Sequence, residues 1–214
     1  MINLSHKKTY YQNIANTIIK NFSKRQIEGY YCSSSKEAVE KVLELMPEGS
    51  SISWGGSMTL SETGLMNSIK NGDYNLIDRD SAQTLDEQRK IYGQICMSDF
   101  FLMSTNAITI DGELINIDGR GNRVAFLCYG PQNVIILAGM NKVVSDLESG
   151  FKRVRDIASP PNTIRLNKKT PCSITGKCED CFSPDCICGQ FVLTRRSGIP
   201  NRIKVILIGE ELGY

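Results

Sequence analysis

Three observations predict a three-layer α/β fold with a mainly parallel sheet. Segments of helix length, with apolar residues every three to four positions, alternate with short apolar runs along most of the chain. The runs at 99–104, 133–138 and 203–208 are almost continuously apolar, which is typical of parallel strands buried on both faces. The chain has 214 residues, of which 41% are hydrophobic, enough for an ordinary core. Alternating helices and strands favour helices on both faces of one sheet.

Apolar spacing and turn residues place the elements in chain order. A long helix is predicted over 6–26, a short strand over 30–33 and a helix over 36–46, capped by Ser35. Thr84 begins a further helix. In order, the later predicted elements are a strand over 50–54, a helix over 59–69, a strand over 74–78, a helix over 84–97, a strand over 99–104, a helix over 123–129, a strand over 133–138, a helix over 144–158 and a strand over 203–208.

A β-hairpin is predicted within the stretch 104–124. Two β-rich runs, 107–110 and 113–117, flank Asp111-Gly112, which is a strong signal for a tight turn. Pro160-Pro161 is expected to end the regular part of the fold. A cysteine-rich segment, 168–190, is then inserted before the last strand of a single domain, 1–214.

Charge and hydropathy exclude several classes of function. The net charge is +2 with no basic block, so no nucleic-acid partner is expected. No run of 18 apolar residues is present, and the polar start of the chain lacks the apolar region of a signal peptide. These observations predict a cytoplasmic protein without a membrane partner.

Two glycine-rich loops at strand ends are candidate ligand sites, because ligands of open α/β sheets bind beyond the carboxyl ends of strands. The first loop offers the backbone of Gly55 and Gly56 and the hydroxyls of Ser57 and Thr59, which suit a phosphate or carboxylate. A tight turn in which Ser57 caps the next helix is the equally weighted alternative. Glu62 is expected to be an acid or base facing the cleft, or a dipole partner in the first helical turn.

The second loop comprises Asp118, Gly119, Arg120, Gly121, Asn122 and Arg123. Arg120 and Arg123 can hold an anion bidentately, and Asp118 can act as a general base or bind a hydroxyl. Taken singly, each of these three charged residues is better interpreted as surface charge. The prediction of an anion site depends on their lying in one glycine-rich loop. Asn106 is a third lining candidate. His6 is predicted to be an exposed bystander, which argues against catalysis by a serine–histidine or cysteine–histidine pair.

Eight cysteines fall into two groups. Cys32, Cys96 and Cys128 have apolar neighbours and are predicted to be small buried hydrophobes. The other five crowd into residues 172–188, which favours a metal over disulfides in a reducing compartment. Cys178-x2-Cys181 is a good chelating pair, and two further thiolates would complete a tetrahedral zinc site or hold an iron–sulfur cluster. Spacing does not separate zinc from an iron–sulfur cluster, and free thiols or a disulfide formed on isolation are the remaining alternative.

Several motifs resemble the LUD family, the lactate-utilisation proteins, over nearly the whole chain. They are Ser53-Trp-Gly-Gly-Ser-Met-Thr, Ser104-Thr-Asn-Ala-Ile-Thr, the stretch 111–124, Gly130-Pro, the stretch 133–139, Thr170-Pro-Cys, Thr175-Gly-Lys-Cys and the stretch 202–214. The chain most resembles a compact bacterial branch in which the domain stands alone with a C-terminal cysteine motif. The resemblance implies a Rossmann-like α/β/α fold similar to glucosamine-6-phosphate deaminase, ribose-5-phosphate isomerase and CoA transferases. It also implies Cys172, Cys178, Cys181 and Cys188 as metal ligands, with Cys186 spare.

The resemblance leads to three functional hypotheses. The first is a component of lactate or related organic-acid metabolism that binds a small anionic metabolite, with Ser57, Asn106, Asp118 and Arg123 as the leading site residues. The second is a non-catalytic electron-transfer or assembly subunit, with redox-protein partners, that works through an iron–sulfur or zinc site. The third is a sugar-phosphate isomerase, since the stretch 106–122 is also similar to the isomerases related to translation initiation factor 2B. An amide at Asn106, where an acid is expected, disfavours it. Whether the chain forms a homo-oligomer is left open.

Overall fold

The computed structural model describes residues 4–214, with side chains from residue 6 onward. The polar N-terminal stretch, from which no signal peptide is predicted, includes residues 1–3, and these lie outside the described residues. The helices are α1 (Leu4–Lys24), α2 (Ser35–Leu45), α3 (Met58–Glu62), α4 (Leu65–Lys70), α5 (Leu85–Cys96), α6 (Asn122–Cys128), α7 (Leu147–Arg153), α8 (Ser159–Arg165) and α9 (Pro171–Thr175). The strands are β1 (Glu28–Cys32), β2 (Ser51–Trp54), β3 (Asn75–Leu76), β4 (Phe100–Met103), β5 (Ala107–Thr109), β6 (Leu114–Asp118), β7 (Asn133–Gly139), β8 (Val143–Val144), β9 (Gln190–Thr194) and β10 (Ile203–Ile208).

A six-stranded sheet forms the middle layer, in the order β1-β10-β7-β4-β2-β3, and all its pairs are parallel. Residues of β7 alternate between two cores. Val134 and Ile136 pack with α1, α5 and α6, whereas Ile135 and Leu137 pack with α2, α3 and α4. Because both faces are covered by helices, the three-layer α/β/α prediction is confirmed, and the continuous apolar strands are explained.

A second sheet, β8-β5-β6-β9, lies beside the first and contains the predicted hairpin. Gly112 of its turn has φ +88°, and a Cβ there would come 3.1 Å from Cδ1 of Phe22. Glycine is therefore required both by the backbone and by the packing of α1. The partner strand β9 runs antiparallel to β6, and the sequence did not predict it.

Two predicted helix starts have different outcomes. Thr84 caps α5 in a capping box with Glu87, as the sequence predicts. Ser35 does not cap α2: the cap is Ser34, whose hydroxyl accepts from the backbone N–H of Glu37. Ser35 instead donates to Glu210 at the other end of the chain. A sequence-local rule cannot distinguish two adjacent serines when a distant carboxylate recruits one of them.

The prediction that Pro160-Pro161 ends the regular fold is wrong. Both prolines lie in the first turn of α8, where a missing N–H costs nothing. The helix predicted over 144–158 is also interrupted, because Val143–Val144 forms a strand and Val154–Ala158 is a π-helical turn between α7 and α8. Ser159 supports that turn by donating to the carbonyl of Val154 at 2.8 Å.

The cysteine predictions outside the carboxyl-terminal segment are mixed. Cys32 is buried, as expected, but Cys96 and Cys128 are exposed. Each lies at the last residue of a short helix, α5 or α6, so apolar neighbours in sequence do not place it in the core. None of the helices within residues 4–214 is long and apolar enough to cross a membrane.

Arg202 anchors the end of α6 against the central sheet. Its side chain is buried, and its guanidinium donates to the carbonyls of Phe126, Leu127 and Pro131 at 2.7–2.9 Å. Carbonyls at the end of a helix have no partner within the helix, so a buried cation supplies one. This contact fixes the helix that follows the second glycine-rich loop.

We expect Arg202→Met to lower the free energy of unfolding by about 3 kcal/mol, because three buried carbonyls lose their donors. Urea denaturation followed by circular dichroism measures the change. Arg89→Met, at an exposed position of α5, is the control and is expected to change stability by less than about 0.5 kcal/mol. Equal stability of the two variants would contradict the anchoring role.

Candidate functional site

A pocket of about 430 Å³ opens beyond the carboxyl ends of β2, β4 and β7. The two predicted loops form facing parts of its wall, and the cleft between them is open. The predicted ligand-binding residues that line it are Gly56, Ser57, Thr59, Asn106, Asp118, Gly119, Arg120, Asn122 and Arg123. Gly55 and Gly121 belong to the same loops but do not line the pocket.

The first loop combines structural and open donors. The N–H of Gly55 bonds to the carbonyl of Leu102 at 2.8 Å, so this donor is occupied by the sheet. Ser57 caps α3 by accepting from the N–H of Leu60 at 3.4 Å. The N–H groups of Gly56 and Ser57 have no partner within residues 4–214. The loop therefore serves both readings of the sequence, as a helix cap and as an open donor site.

The second loop is closed at its helix end. One oxygen of Asp118 accepts from the backbone N–H groups of Arg123 and Val124 at 3.0 and 3.2 Å. The start of α6 is therefore neutralised by the chain's own carboxylate rather than left for an anion. Gly121 takes a left-handed conformation, with φ +83°, to make this turn. Arg120 is exposed and has no side-chain partner in the described part of the chain, which leaves its guanidinium available.

Arg123 is held by acceptors of the protein itself. Its Nη1 donates to the carbonyl of Ser104 and the amide oxygen of Asn116, and its Nη2 donates to Asn106 and the carbonyl of Ile117, all within 2.7–3.1 Å. Its Nε lies 3.8 Å from Asp118. Burial lowers the pKa of the guanidinium from its usual value, which Asp118 partly offsets. This geometry favours a positioning role for Arg123 and leaves Arg120 as the residue of the loop that can donate hydrogen bonds to an anion.

The side-chain amide of Asn106 has an oxygen that is hydrogen-bonded within the protein and a nitrogen that is available to a ligand. Its amide oxygen accepts from the N–H of Ile117 at 3.1 Å and from Arg123 at 3.0 Å. Its Nδ2 has no hydrogen-bond partner among the residues described, and the side chain lines the pocket. The fixed oxygen orients the amide, so the nitrogen is a placed donor.

Lys142 is the pocket residue with the most unusual environment. It follows β7, is 3% exposed, and its Nζ donates to the hydroxyls of Thr59 and Ser104 at 2.9 Å each. None of the carboxylates described pairs with it. Burial, followed by the charges of Arg153 and Arg123, lowers its pKa from 10.5 to about 7. A buried amine whose pKa is lowered this far is a candidate functional group, because such shifts are concentrated at functional sites.

The pocket is strongly cationic. The cationic side chains on its wall are Arg79, Arg120, Arg123, Arg165 and Lys168, against the carboxylates of Asp80 and Asp118, and Lys142 adds a positive charge only in its protonated form. Arg79 reaches across the first loop: a Cβ on Gly56 would come 3.0 Å from its Nη2. A concave site with this imbalance attracts and holds anions.

Neither Glu62 nor His6 lines the pocket, although the charge of Glu62 acts on Lys142. Glu62 is the last residue of α3, exposed, and accepts from the N–H of Gly213 at 2.6 Å. It thus holds the stretch after β10 in place, and its expected place in the first helical turn is wrong. His6 is exposed on α1, as predicted.

The five crowded cysteines line a second cavity of about 500 Å³. Cys172 is buried and lies 3.3 Å from the hydroxyl of Thr170, whereas Cys178, Cys181, Cys186 and Cys188 are half-buried. Arg155 donates to the sulfur of Cys178 at 3.5 Å, and the N–H of Cys188 donates to the sulfur of Cys186 at 3.3 Å. Within the described chain, no three cysteine, histidine or acidic side chains form a group that could hold one metal ion.

Lys142 and Arg79 are among the pocket residues that the sequence reasoning missed. Both follow strands, at Gly139-Met-Asn-Lys after β7 and a few residues after β3. The rule that ligands bind beyond strand ends applies to them as to the glycine-rich loops. They were passed over because neither lies in a glycine-rich motif, although a lysine directly after a buried strand is itself a signal.

The sequence model of the LUD domain matches residues 15–208. Among solved structures, a DUF162 family protein from Deinococcus radiodurans is similar, with a TM-score of 0.56 and 11% identity over 92% of this chain and 98% of that chain. At this identity the similarity shows a shared fold. No curated protein matches the chain.

Two isomerases have lower structural similarity. Ribose 5-phosphate isomerase A from Neisseria gonorrhoeae has a TM-score of 0.34 and 14% identity over 54% of this chain and 56% of that chain. Ribose 5-phosphate isomerase from Plasmodium falciparum has a TM-score of 0.32 and 21% identity over 52% of each chain. Scores this low support no argument about fold or activity.

Lys142→Met is expected to remove a pH-dependent cost of folding. Between pH 7 and 10.5 the unfolded chain binds the lysine proton and the folded chain does not, so parental stability rises with pH through this window. The slope for one such group approaches about 1.4 kcal/mol per pH unit. The variant should lack this rise when chemical denaturation is measured from pH 6 to 10. Parallel pH profiles of parent and variant would contradict an amine with a lowered pKa.

Proposed function

The chain belongs to the LUD domain family, and from this premise we propose that it binds a small anionic metabolite of lactate or related organic-acid utilisation. The cationic pocket at the strand ends is the observation that carries the proposal. Its volume of about 430 Å³ suits a compact metabolite.

The donors of the pocket suit a carboxylate with a polar neighbour. Arg120 has no partner among the described side chains, and Arg79 is paired only with Asp80, at 3.5 Å. The open N–H groups of Gly56 and Ser57 and the free Nδ2 of Asn106 add neutral donors. Charged and neutral donors together fix both the charge and the orientation of an anion.

Arg120→Ala and Arg79→Ala are each expected to weaken the binding of L-lactate and pyruvate about tenfold, because one charge-assisted hydrogen bond is lost. Isothermal titration calorimetry at low ionic strength measures the affinities. Arg89→Ala, exposed on α5 outside the pocket, is the matched control and should bind like the parent.

Inorganic phosphate separates metabolite recognition from simple charge attraction. A pocket that binds phosphate as tightly as pyruvate is a general anion site, which would contradict selection of an organic acid. Absence of binding by lactate, pyruvate and phosphate alike would refute the proposal.

The cavity lined by five cysteines favours a second candidate function, a metal centre for electron transfer or assembly. A [4Fe–4S] cluster needs four thiolates spread around a large core, and this cavity offers them without requiring close contact between sulfurs. The guanidinium of Arg155 already donates to the sulfur of Cys178, one of the four proposed ligands. Such donors tune the potential of a cluster.

A zinc ion and a cluster make different demands on these thiolates. Zinc requires four ligands about 2.3 Å from one point, whereas a [4Fe–4S] cluster spreads four thiolates around a larger core. Cys172, Cys178, Cys181 and Cys188 would hold the cluster, with Cys186 spare. A bound cluster would supply one-electron transfer, and zinc would instead serve as a structural clip.

Protein purified without oxygen is expected to be brown, with absorbance near 400 nm and about four irons per chain. Cys178→Ser and Cys181→Ser should each lose most of the colour and iron, whereas Cys186→Ser, the matched control in the same cavity, should keep both. Metal analysis and absorption spectra measure these outcomes. A colourless protein with one zinc would establish the structural clip, and a metal-free protein would refute a metal centre.

A further inference from the structure

We infer that Lys142 is a nucleophile that forms a covalent imine with the carbonyl carbon of a 2-oxo acid held in the strand-end pocket. The inference rests on the proposed function, because the pocket must first bind the acid. It adds a covalent step and a reacting atom, Nζ of Lys142, to a site so far described only as a binding site.

The hydrogen bonds of Lys142 leave its reactive electron pair open. Nζ donates to the hydroxyls of Thr59 and Ser104, and these hydroxyls donate onward to the carbonyls of Leu212 and Thr105. A neutral amine has two protons and one lone pair, and both protons are used. Both hydroxyls have acceptors other than the amine, since Ser104 can also donate to the hydroxyl of Thr59 at 3.4 Å, so neither needs the lone pair of Nζ, which is available to a ligand in the pocket that Lys142 lines.

The charges around Lys142 favour the neutral amine. Arg153 and Arg123 approach from α7 and α6, and Glu62 of α3 is the acidic group that opposes them. Glu62 is already bonded to the N–H of Gly213. Desolvation and two guanidinium groups therefore outweigh one exposed carboxylate, and the pKa of Lys142 falls to about 7. Buried lysines beside other cations are the ones that form imines with carbonyl substrates.

The same surroundings select a carbonyl compound that carries an anion. The cationic wall and the open N–H groups of the first loop hold the carboxylate, and the free Nδ2 of Asn106 is a donor for the carbonyl oxygen. A 2-oxo acid places its carbonyl carbon directly beside its carboxylate. Binding through the carboxylate thus delivers the carbon to the amine and raises its effective concentration.

The step balances without any oxidant or reductant. The lone pair of Nζ forms a bond to the carbonyl carbon while the carbonyl π pair moves to oxygen. Both amine protons pass, directly or through solvent, to that oxygen, which leaves as water, and the nitrogen takes up one proton from solvent. The product is a protonated imine, C=NH⁺, next to the retained carboxylate, and it reverts by hydrolysis.

Reductive trapping tests the inference. The full-length protein is incubated with pyruvate and sodium cyanoborohydride, digested, and mapped by mass spectrometry. One reduced pyruvyl group is expected on the peptide that contains Lys142, at least tenfold above any other lysine peptide. Because the map is made on the parental protein, it does not depend on the folding of a variant.

The variants and the pH profile distinguish two roles of Lys142, a neutral amine that reacts with the substrate and a protonated ammonium that only binds the anion. Lys142→Met should abolish trapping, while Lys204→Met, a half-buried lysine paired with Glu28 at the opposite end of the sheet, should keep it. Trapping at Lys142 should rise about tenfold from pH 6 to pH 8 and then level off, because the amine is neutral above about pH 7. Trapping at exposed lysines, with pKa near 10.4, should keep rising past pH 8.

Each outcome has one consequence. Pyruvate that binds by calorimetry but yields no adduct at Lys142 overturns the imine and leaves the binding function standing. Adducts spread over exposed lysines, with no excess at Lys142, overturn it as well. Failure of pyruvate to bind overturns the inference, and failure of lactate and phosphate as well also overturns the organic-acid function on which it rests.

Discussion

The guanidinium of Arg123, on a side chain that is 15% exposed, is the constraint on which the rest of the site depends. It joins the end of β4 in the main sheet to β6 in the small sheet, through the carbonyl of Ser104 and the amide oxygen of Asn116. It also fixes Asn106 and approaches Asp118, so both sheets and the second loop share one hydrogen-bonded centre. A planar group with five donors satisfies this many acceptors at once, which a lysine ammonium cannot do.

The way Arg123 is satisfied explains the charge of the pocket. Most of its acceptors are neutral oxygens, and the same holds for Arg153, which donates to the carbonyls of Asn106 and Asn141. Burial lowers the pKa of Arg153 to about 10, yet it stays protonated at neutral pH. Arg153 has no carboxylate partner among the described residues, and Arg123 has only Asp118, 3.8 Å from its Nε, so both charges act on Lys142 and favour the loss of its proton. Anion attraction and a neutral amine thus have a common cause.

The sequence predicts the features that are local and misses those that depend on distant partners. The capping residue Thr84, the Asp111-Gly112 turn and the apolar run that forms β7 each carry their signal within a few residues. By contrast, β9 forms a strand because it pairs with β6, which lies some 75 residues earlier in the chain. The prolines of α8 and the exposed Cys96 show the same limit. Residue type alone does not determine at which position of a helix a residue lies, or whether that position is buried. The candidate loops were found because glycine patterns are local, whereas the environment of Lys142 is assembled from Thr59, Ser104 and Arg153.

The two cavities share a wall, and this links the candidate metal centre to the pocket. Ser159 and Ile187 line both, and the Cα of Ile187 lies 3.3 Å from a Cβ built on Gly119 in the second loop. The side chain of Cys188, next to Ile187, donates to Ser159 at 3.6 Å. The segment around these residues buries few apolar side chains, and Phe182 within it is fully exposed, so packing alone holds it weakly. A cluster bound by its cysteines would fix the position of Ile187 against Gly119. The shape of the anion pocket would then depend on the state of the cysteines, even if no electron passed between the two sites.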